Sequence, residues 1–304
     1  MNINGLDKKI IIELQKNGRI SYSRLAKQVG INVSTAKKRV DRLLETNTIM
    51  IRAARNTSRM GYVASAFIAI DVELSKLNDL CTKLIRSYYI GLIVTAFGQY
   101  DVLIIASYPS WEMLHNFIQA ELKQMDGVHK VEPFFIKEVI KPFFRDINVM
   151  TNDQVIMDEI QIKLIEELAK DGRASCVRLS NMLGISESVV SRRISSLIEK
   201  EYISIKALPN PSALGYLLDA FIFIKAEASV IENICNRLVI YSEVYLIDTL
   251  INGYDALIGV NFPSPEVLNA FINKEIVQVG GIQNIETFIR AEVKKMDYSN
   301  FLLQ

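Results

Sequence analysis

The stretch Leu14-Gln-Lys-Asn-Gly18-Arg19-Ile-Ser21 returns later in the chain as Leu168-Ala-Lys-Asp-Gly172-Arg173-Ala-Ser175. The offset from Gly18 to Gly172 is 154 residues, and it holds without a gap in both directions. It aligns Arg24 with Arg178, Gly30-Ile31 with Gly184-Ile185, and Arg39 with Arg193. It continues through Gly61-Tyr62 and Gly215-Tyr216, Phe67 and Phe221, Tyr100-Asp101 and Tyr254-Asp255, and ends at Glu138-Val139 and Glu292-Val293. One register held over so long a span marks a tandem duplication. The join falls near residues 148–156.

The first third of each repeat reads as three helices. Leu6, Ile10, Ile11 and Leu14 are spaced for one helical face, and Gly18 is expected to end that helix. Ser21 is placed to cap a short second helix, Gly30 to close it in the left-handed conformation, and Asn32 to cap a third. Ser186 takes the place of Asn32 in the second repeat. In the third helix Val33, Ala36, Val40 and Leu43 are expected to face inward, with Ser34, Thr35, Lys37 and Lys38 outward. Two short helices joined at a glycine, the second with a polar and basic outer face, describe a helix-turn-helix whose last helix fits the DNA major groove. The strand-like segments Ile49–Arg55 and 203–207 would serve as a wing or hinge.

The rest of each repeat alternates strand and helix. In the first copy the pattern predicts strands at 65–73, 91–97, 102–108 and 128–139, with helices at 76–87 and 111–125. This is the βαββαβ order of ferredoxin-like domains. The fold class expected is therefore α+β, with two winged helix-turn-helix domains alternating with two ferredoxin-like βαββαβ domains. The boundaries expected are 1–56, 57–150, 151–210 and 211–304.

Charge is unevenly spread. The chain carries 35 Lys and Arg against 34 Asp and Glu. Residues 1–55 hold 12 basic and 4 acidic residues, a balance of +8, whereas residues 157–207 hold 8 of each. Clustered cations of this kind make the phosphate contacts that dominate DNA affinity. The residues expected at DNA are Ser34, Thr35, Lys37, Lys38, Arg39 and Arg42, with Ser188, Ser191, Arg192 and Arg193 in the second module. A solvated helix face is the plainer reading of the charges on the first module, and the second, where Glu187 stands in the place of Val33, reads alternatively as a diverged module with a structural or partner-binding role.

The order of helix-turn-helix, linking strand and βαββαβ resembles the leucine-responsive/AsnC family, the feast/famine regulators of bacteria and archaea. The residues that carry the resemblance are Leu6-Asp7, Gly18-Arg19, Gly30-Ile31, Arg39, Leu214-Gly215-Tyr216 and the loop Gly98–Asp101 between the second and third strands. The resemblance implies a transcription regulator whose loops hold a small-molecule effector such as an amino acid. On that basis Gly98, Gln99, Tyr100 and Asp101 are effector-site candidates, and so are Asn252, Gly253, Tyr254 and Asp255. Asn252 stands where the first loop has glycine and is expected to tolerate the left-handed turn, with a side chain able to alter or block a pocket. The family usually has one such unit per chain and works as dimers or larger rings. Fusion of two units implies a pseudo-dimer within one chain, with homodimers or higher oligomers beyond it.

Other features point away from catalysis. Cys81, Cys176 and Cys235 form no disulfide or zinc pattern, and His115 and His129 are the only histidines. No metal, cofactor or catalytic residue is expected. Cys81 and Cys235 occupy equivalent positions and read as packing residues, as do Trp111, Phe134-Phe135 and Phe143-Phe144. Sirohaem decarboxylases resemble the same architecture. They tend to carry histidine and arginine after the linking strand, but Arg55–Gly61 and Pro209–Gly215 hold no histidine. With no leader-like start and no apolar run of membrane-spanning length, a cytoplasmic location is expected.

Overall fold

A computed structural model describes residues 3–141 and 155–296. The pair Phe143-Phe144 and most of the join between repeats lie outside the described residues. The first repeat runs α1 (Gly5–Lys16), α2 (Tyr22–Val29), α3 (Val33–Glu45), β1 (Ile49–Arg55), β2 (Ala64–Val72), α4 (Leu77–Ile85), β3 (Ile90–Phe97), β4 (Val102–Tyr108), α5 (Trp111–Asn116) and β5 (Val128–Lys141). The second runs α6 (Glu159–Lys170), α7 (Cys176–Leu183), α8 (Glu187–Glu199), β6 (Ile203–Pro209), β7 (Leu218–Ala226), α9 (Ala228–Leu238), β8 (Val244–Leu250), β9 (Ala256–Phe262), α10 (Pro265–Phe271) and β10 (Ile282–Met296). Continuous turns of wider and tighter pitch extend α5 to Gln124 and α10 to Val279.

The described chain divides into two units, each drawing on both repeats. One unit contains α1–α3 with β1 and α6–α8 with β6. The caps are where the sequence puts them. Ser21 Oγ accepts from Arg24 N at 3.3 Å, Asn32 Oδ1 from Thr35 N at 2.8 Å, and Gly30 and Gly184 are left-handed at φ 74° and 67°. Leu25, Ala36, Val40 and Leu43 are buried, but Val33 is 47% exposed. Its neighbours Asn32 and Ser34 are exposed too, so the first turn of α3 stands clear of the core. That explains why Glu187 is tolerated at the equivalent position of α8.

The wing strands of the two modules are shared rather than separate. β1 and β6 pair with each other, antiparallel, from Ile49 opposite Pro209 to Arg55 opposite Ile203. An isolated two-stranded ribbon is marginal in water, and here α1 packs on β6 while α6 packs on β1. Each repeat's first helix thus covers the other repeat's strand. Gly18 serves this crossing rather than the end of α1, whose cap is the extended Asn17. Gly18 N donates to Ile205 O at 2.7 Å and Gly172 N to Ile51 O at 2.7 Å. A Cβ on Gly18 would lie 2.8 Å from Ile51 Cγ2 and 3.0 Å from Ile205 O. Arg19 then donates to Gly172 O and Ala174 O, and Arg173 returns the contact to Gly18 O and Ile20 O. Gly18→Ala should therefore destabilise this unit by about 1–3 kcal/mol, the usual cost of forcing one extra carbon into a packed contact. Urea unfolding checks it, and an unchanged midpoint would show that the crossing yields freely.

The other unit is a closed eight-stranded barrel in the order β10-β3-β4-β2-β5-β8-β9-β7. The closure comes from two long last strands. β5 pairs with β2 up to Phe135 and then with β8 from Ile136 to Lys141. β10 pairs with β7 up to Ile289 and then with β3 as far as Met296. Each repeat thereby lends half a strand to the other. Phe67, Phe221 and Phe223 meet inside, with ring centroids 5.0 and 5.2 Å apart, so the apolar faces of the two βαββαβ copies cover each other within one chain. Outside, one core contains Leu80, Cys81, Leu84 and Leu114, and the other Ile231, Cys235, Leu238 and Leu268. Phe134 joins the interior. Trp111 does not enter a core; it is 45% exposed, edge-on to Phe135.

Candidate nucleic-acid interface and loop sites

On α3 the polar candidates separate into two groups. Ser34, Lys37 and Lys38 are exposed, and Thr35 is half-buried with its N–H held by the Asn32 cap. Arg39 and Arg42 are drawn the other way. Their guanidinium groups reach the two oxygens of Asp7 at 2.8 and 2.6 Å, and that carboxylate is almost fully buried. They fix α3 to the start of α1, so they orient the reading helix before they can touch a phosphate. In the second module Gln161 replaces Asp7, and the helix cap Asp158 takes over: Arg193 reaches it at 2.5 Å. This pairing holds the Asp158 carboxyl below the usual range. Ser188, Ser191 and Arg192 are exposed along α8. Asp7 belongs to the family pattern, but no helical period links it to Arg39 and Arg42, so the sequence carries no signal for the pairing.

The two loops between the central strands of each βαββαβ copy share one structural device. Asp101 Oδ2 accepts from Val72 N at 3.0 Å and Asp255 Oδ2 from Ala226 N at 3.0 Å. Both carboxylates stitch the loop to the end of the neighbouring strand. Tyr100 is buried and its hydroxyl donates to Glu132, with Lys130 Nζ 2.9 Å from the same hydroxyl. Burial, then the Glu132 carboxylate, pushes the Tyr100 phenol up. Gln99 is exposed and Gly98 takes φ 140°.

Asn252 departs from expectation. It is absent from the residues of positive φ, and Gly253 carries the turn at φ 72°. The Asn252 side chain instead behaves like a piece of strand. Its Oδ1 accepts from Phe135 N at 2.8 Å and its Nδ2 donates to Pro133 O at 2.7 Å. A tethered carboxamide therefore occupies the backbone groups beside the second loop, where Gly98 offers no side chain. Cys81 and Cys235 are buried and unbridged, and burial pushes the Cys235 thiol up to about 11.

The described chain thus consists of two helix-turn-helix modules crossed through a shared ribbon and a barrel of two βαββαβ copies. The winged helix-turn-helix DNA-binding family matches residues 3–50 and 157–204, and the Lrp/AsnC ligand binding domain matches residues 219–299. The HTH-type transcriptional regulator FL11 of Pyrococcus furiosus is 33% identical over 46% of this chain and 93% of its own length, and the FL11 regulator of Pyrococcus abyssi is 33% identical over 47% and 94%. The relatives are one repeat long. The chain belongs to the Lrp/AsnC family of transcriptional regulators, with the family's unit present twice. Across its whole length the fold is similar to the crystal structure of the siroheme decarboxylase NirDL, with a TM-score of 0.65, 16% identity and coverage of 97% of this chain and 94% of that one. At that identity the likeness extends to fold alone.

Proposed function

We propose that the chain binds double-stranded DNA with its first helix-turn-helix as the dominant head. The observation that carries this reading is the exposed Lys37-Lys38 pair on α3, in a module with a balance of +8, set beside Arg39 and Arg42 that hold the helix in place. Lys37, Lys38 and Ser34 make the first contacts, and Arg42 adds a phosphate contact from its exposed edge. Ser188, Ser191 and Arg192 form a weaker second head, with Arg193 as its brace. Because the heads differ and are joined in one chain, a single chain reads two unlike half-sites, the stronger one under residues 32–46. Footprinting with systematic base changes checks this. A short, strictly palindromic site, equally sensitive in both halves and bound by a lone chain, would contradict it.

The effector is a small molecule such as an amino acid, held at the Gly98–Asp101 loop, with the Asn252 carboxamide standing in for ligand at the second loop. A thermal-shift screen of the amino acids followed by calorimetry should give one effector per chain. Two equivalent sites would overturn the stand-in role of Asn252. A regulator that binds DNA in this way acts in the cytoplasm and needs no catalytic residue. Among the described residues no helix is long and apolar enough to cross a membrane. The likeness to NirDL does not favour decarboxylation here, since the segments 55–61 and 209–215 offer no histidine for an acid or base.

A further inference from the structure

The two helix-turn-helix modules are filled differently where they meet. On one side the Arg173 guanidinium lies 4.9 Å from the centre of the Tyr22 ring, and the Tyr22 hydroxyl donates to Asp41 at 3.3 Å. Ring, cation and carboxylate meet on that side. The related side, 154 residues along for α2, α3 and β1, has Cys176 for Tyr22, Ser195 for Asp41, Ser191 for Lys37 and Ser204 for Met50. A ring, a carboxylate and two long side chains are gone. Arg19 stands where Arg173 stood, its donors engaged by Gly172 O at 2.9 Å and Ala174 O at 3.2 Å, with a thiol in place of the ring.

A cavity of about 620 Å³ opens there, within the size range of small-molecule sites. Arg19 and Lys206 bring cations to its wall, as does Lys16, which Glu13 already holds at 2.6 Å; the lining carboxylate, Glu201, is held by Arg59 at 2.5 Å. Ile194 and Ile198 supply an apolar side. The cavity thus joins the end of α1 in one module to α8 of the other.

We propose that this cavity binds a small aromatic carboxylic acid. Its ring takes the place that Tyr22 fills on the related side, against the Arg19 guanidinium, and its carboxylate faces the cations. The stacking of Tyr22 on Arg173 is the template for the first contact, and the charge of Arg19, met only by two carbonyls, sets the sign of the ligand. A bound acid would brace α8 against α1 and so fix the spacing of the two reading helices. This site is separate from the loops of the barrel, and its failure would leave the DNA-binding reading untouched.

Cys176 gives the test a direct readout, because Cys81 and Cys235 are buried and Cys176 is partly exposed. The full chain is alkylated with iodoacetamide with and without 4-hydroxyphenylacetate, and labelling is assigned by peptide mass. At about ten times its Kd the probe should slow Cys176 labelling about tenfold by occupancy alone. Cyclohexylacetate, which keeps the carboxylate and loses the π face, should bind about two- to thirtyfold more weakly. Cys176→Tyr, which repeats the side chain already accommodated at position 22, should abolish binding by calorimetry. Absence of protection up to about 10 mM probe, the limit for fragment-sized ligands, would overturn the proposal. Equal protection by cyclohexylacetate, or protection by a DNA duplex but by neither acid, would overturn it as well. If Cys176→Tyr does not fold, the comparison of probes on the unaltered chain still decides.

Discussion

Replacing Arg290 with Met is expected to destabilise the barrel by about 3–5 kcal/mol near neutral pH, the range seen when one partner of a buried ion pair is removed. Arg290 pairs with Asp219, and both side chains are nearly buried. Tyr245 donates to the same carboxylate at 2.9 Å. Burial pushes the Asp219 carboxyl up to about 6, against the pull of Arg290 and Tyr245. Because the folded value lies above the unfolded one, stability from this group is fully present below about pH 4 and is lost as pH rises through about 6. Without Arg290 the carboxyl moves further up and the loss continues to higher pH. The difference between Arg290→Met and the unaltered chain should therefore be small at about pH 4 and largest above about pH 7. Asp219→Asn in the same background should remove the pH dependence. Denaturant unfolding across that range is the check, and a difference that ignores pH would show that Arg290 acts by packing alone. The first repeat does without this cluster because it carries Ser65, Gly91 and Ile136 in the places of Asp219, Tyr245 and Arg290. It also has Ile105 in the place of Gly259, where a Cβ in the second repeat would lie 2.5 Å from the Tyr245 ring.

The second large effect is expected on DNA. Lys37→Ala with Lys38→Ala should weaken binding by about one to two orders of magnitude, since each exposed charge pair is worth about 1 kcal/mol and about 1.4 kcal/mol is tenfold. The salt slope should fall by about two, close to one for each phosphate left without its cation. Arg192→Ala should cost less, and Asp7→Asn should weaken binding by releasing Arg39 and Arg42 from their places rather than by removing a cation. A titration of affinity against salt separates these cases. If Arg192→Ala and Arg193→Ala together weakened binding more than the lysine pair, dominance would pass to the second module.

The local parts of this fold were legible because they depend on neighbours in sequence. Ser21, Asn32 and Gly30 announce helix ends through one hydrogen bond or one dihedral angle each, and the unbroken offset copies that reading onto the second repeat. Partner choice was not legible. Nothing in Ile49–Arg55 says that its partner is Ile203–Pro209, or that β5 leaves its own sheet after Phe135, because strand pairing across 150 residues is settled by tertiary packing rather than by pattern. Gly18 was assigned to a helix end when its reason is close approach of a distant backbone. Val33 fitted the apolar spacing of α3 but lies beyond the covered stretch. At the candidate sites, residue type marks the charged positions, while the division into Lys37 and Lys38 facing outward and Arg39 and Arg42 facing Asp7 is set by the packing of α3 on α1. The Asn252 carboxamide could be suspected from its place in the loop, but its two partners on β5 could not.

Sequence-specific DNA binding led by the first module can be tested by fluorescence anisotropy of the full chain against a library of genomic fragments, repeated at several salt concentrations. A small set of fragments should bind at least about a thousandfold more tightly than the bulk, with affinity falling steeply as salt rises. Uniform weak binding to every fragment, or none at low salt, would contradict it.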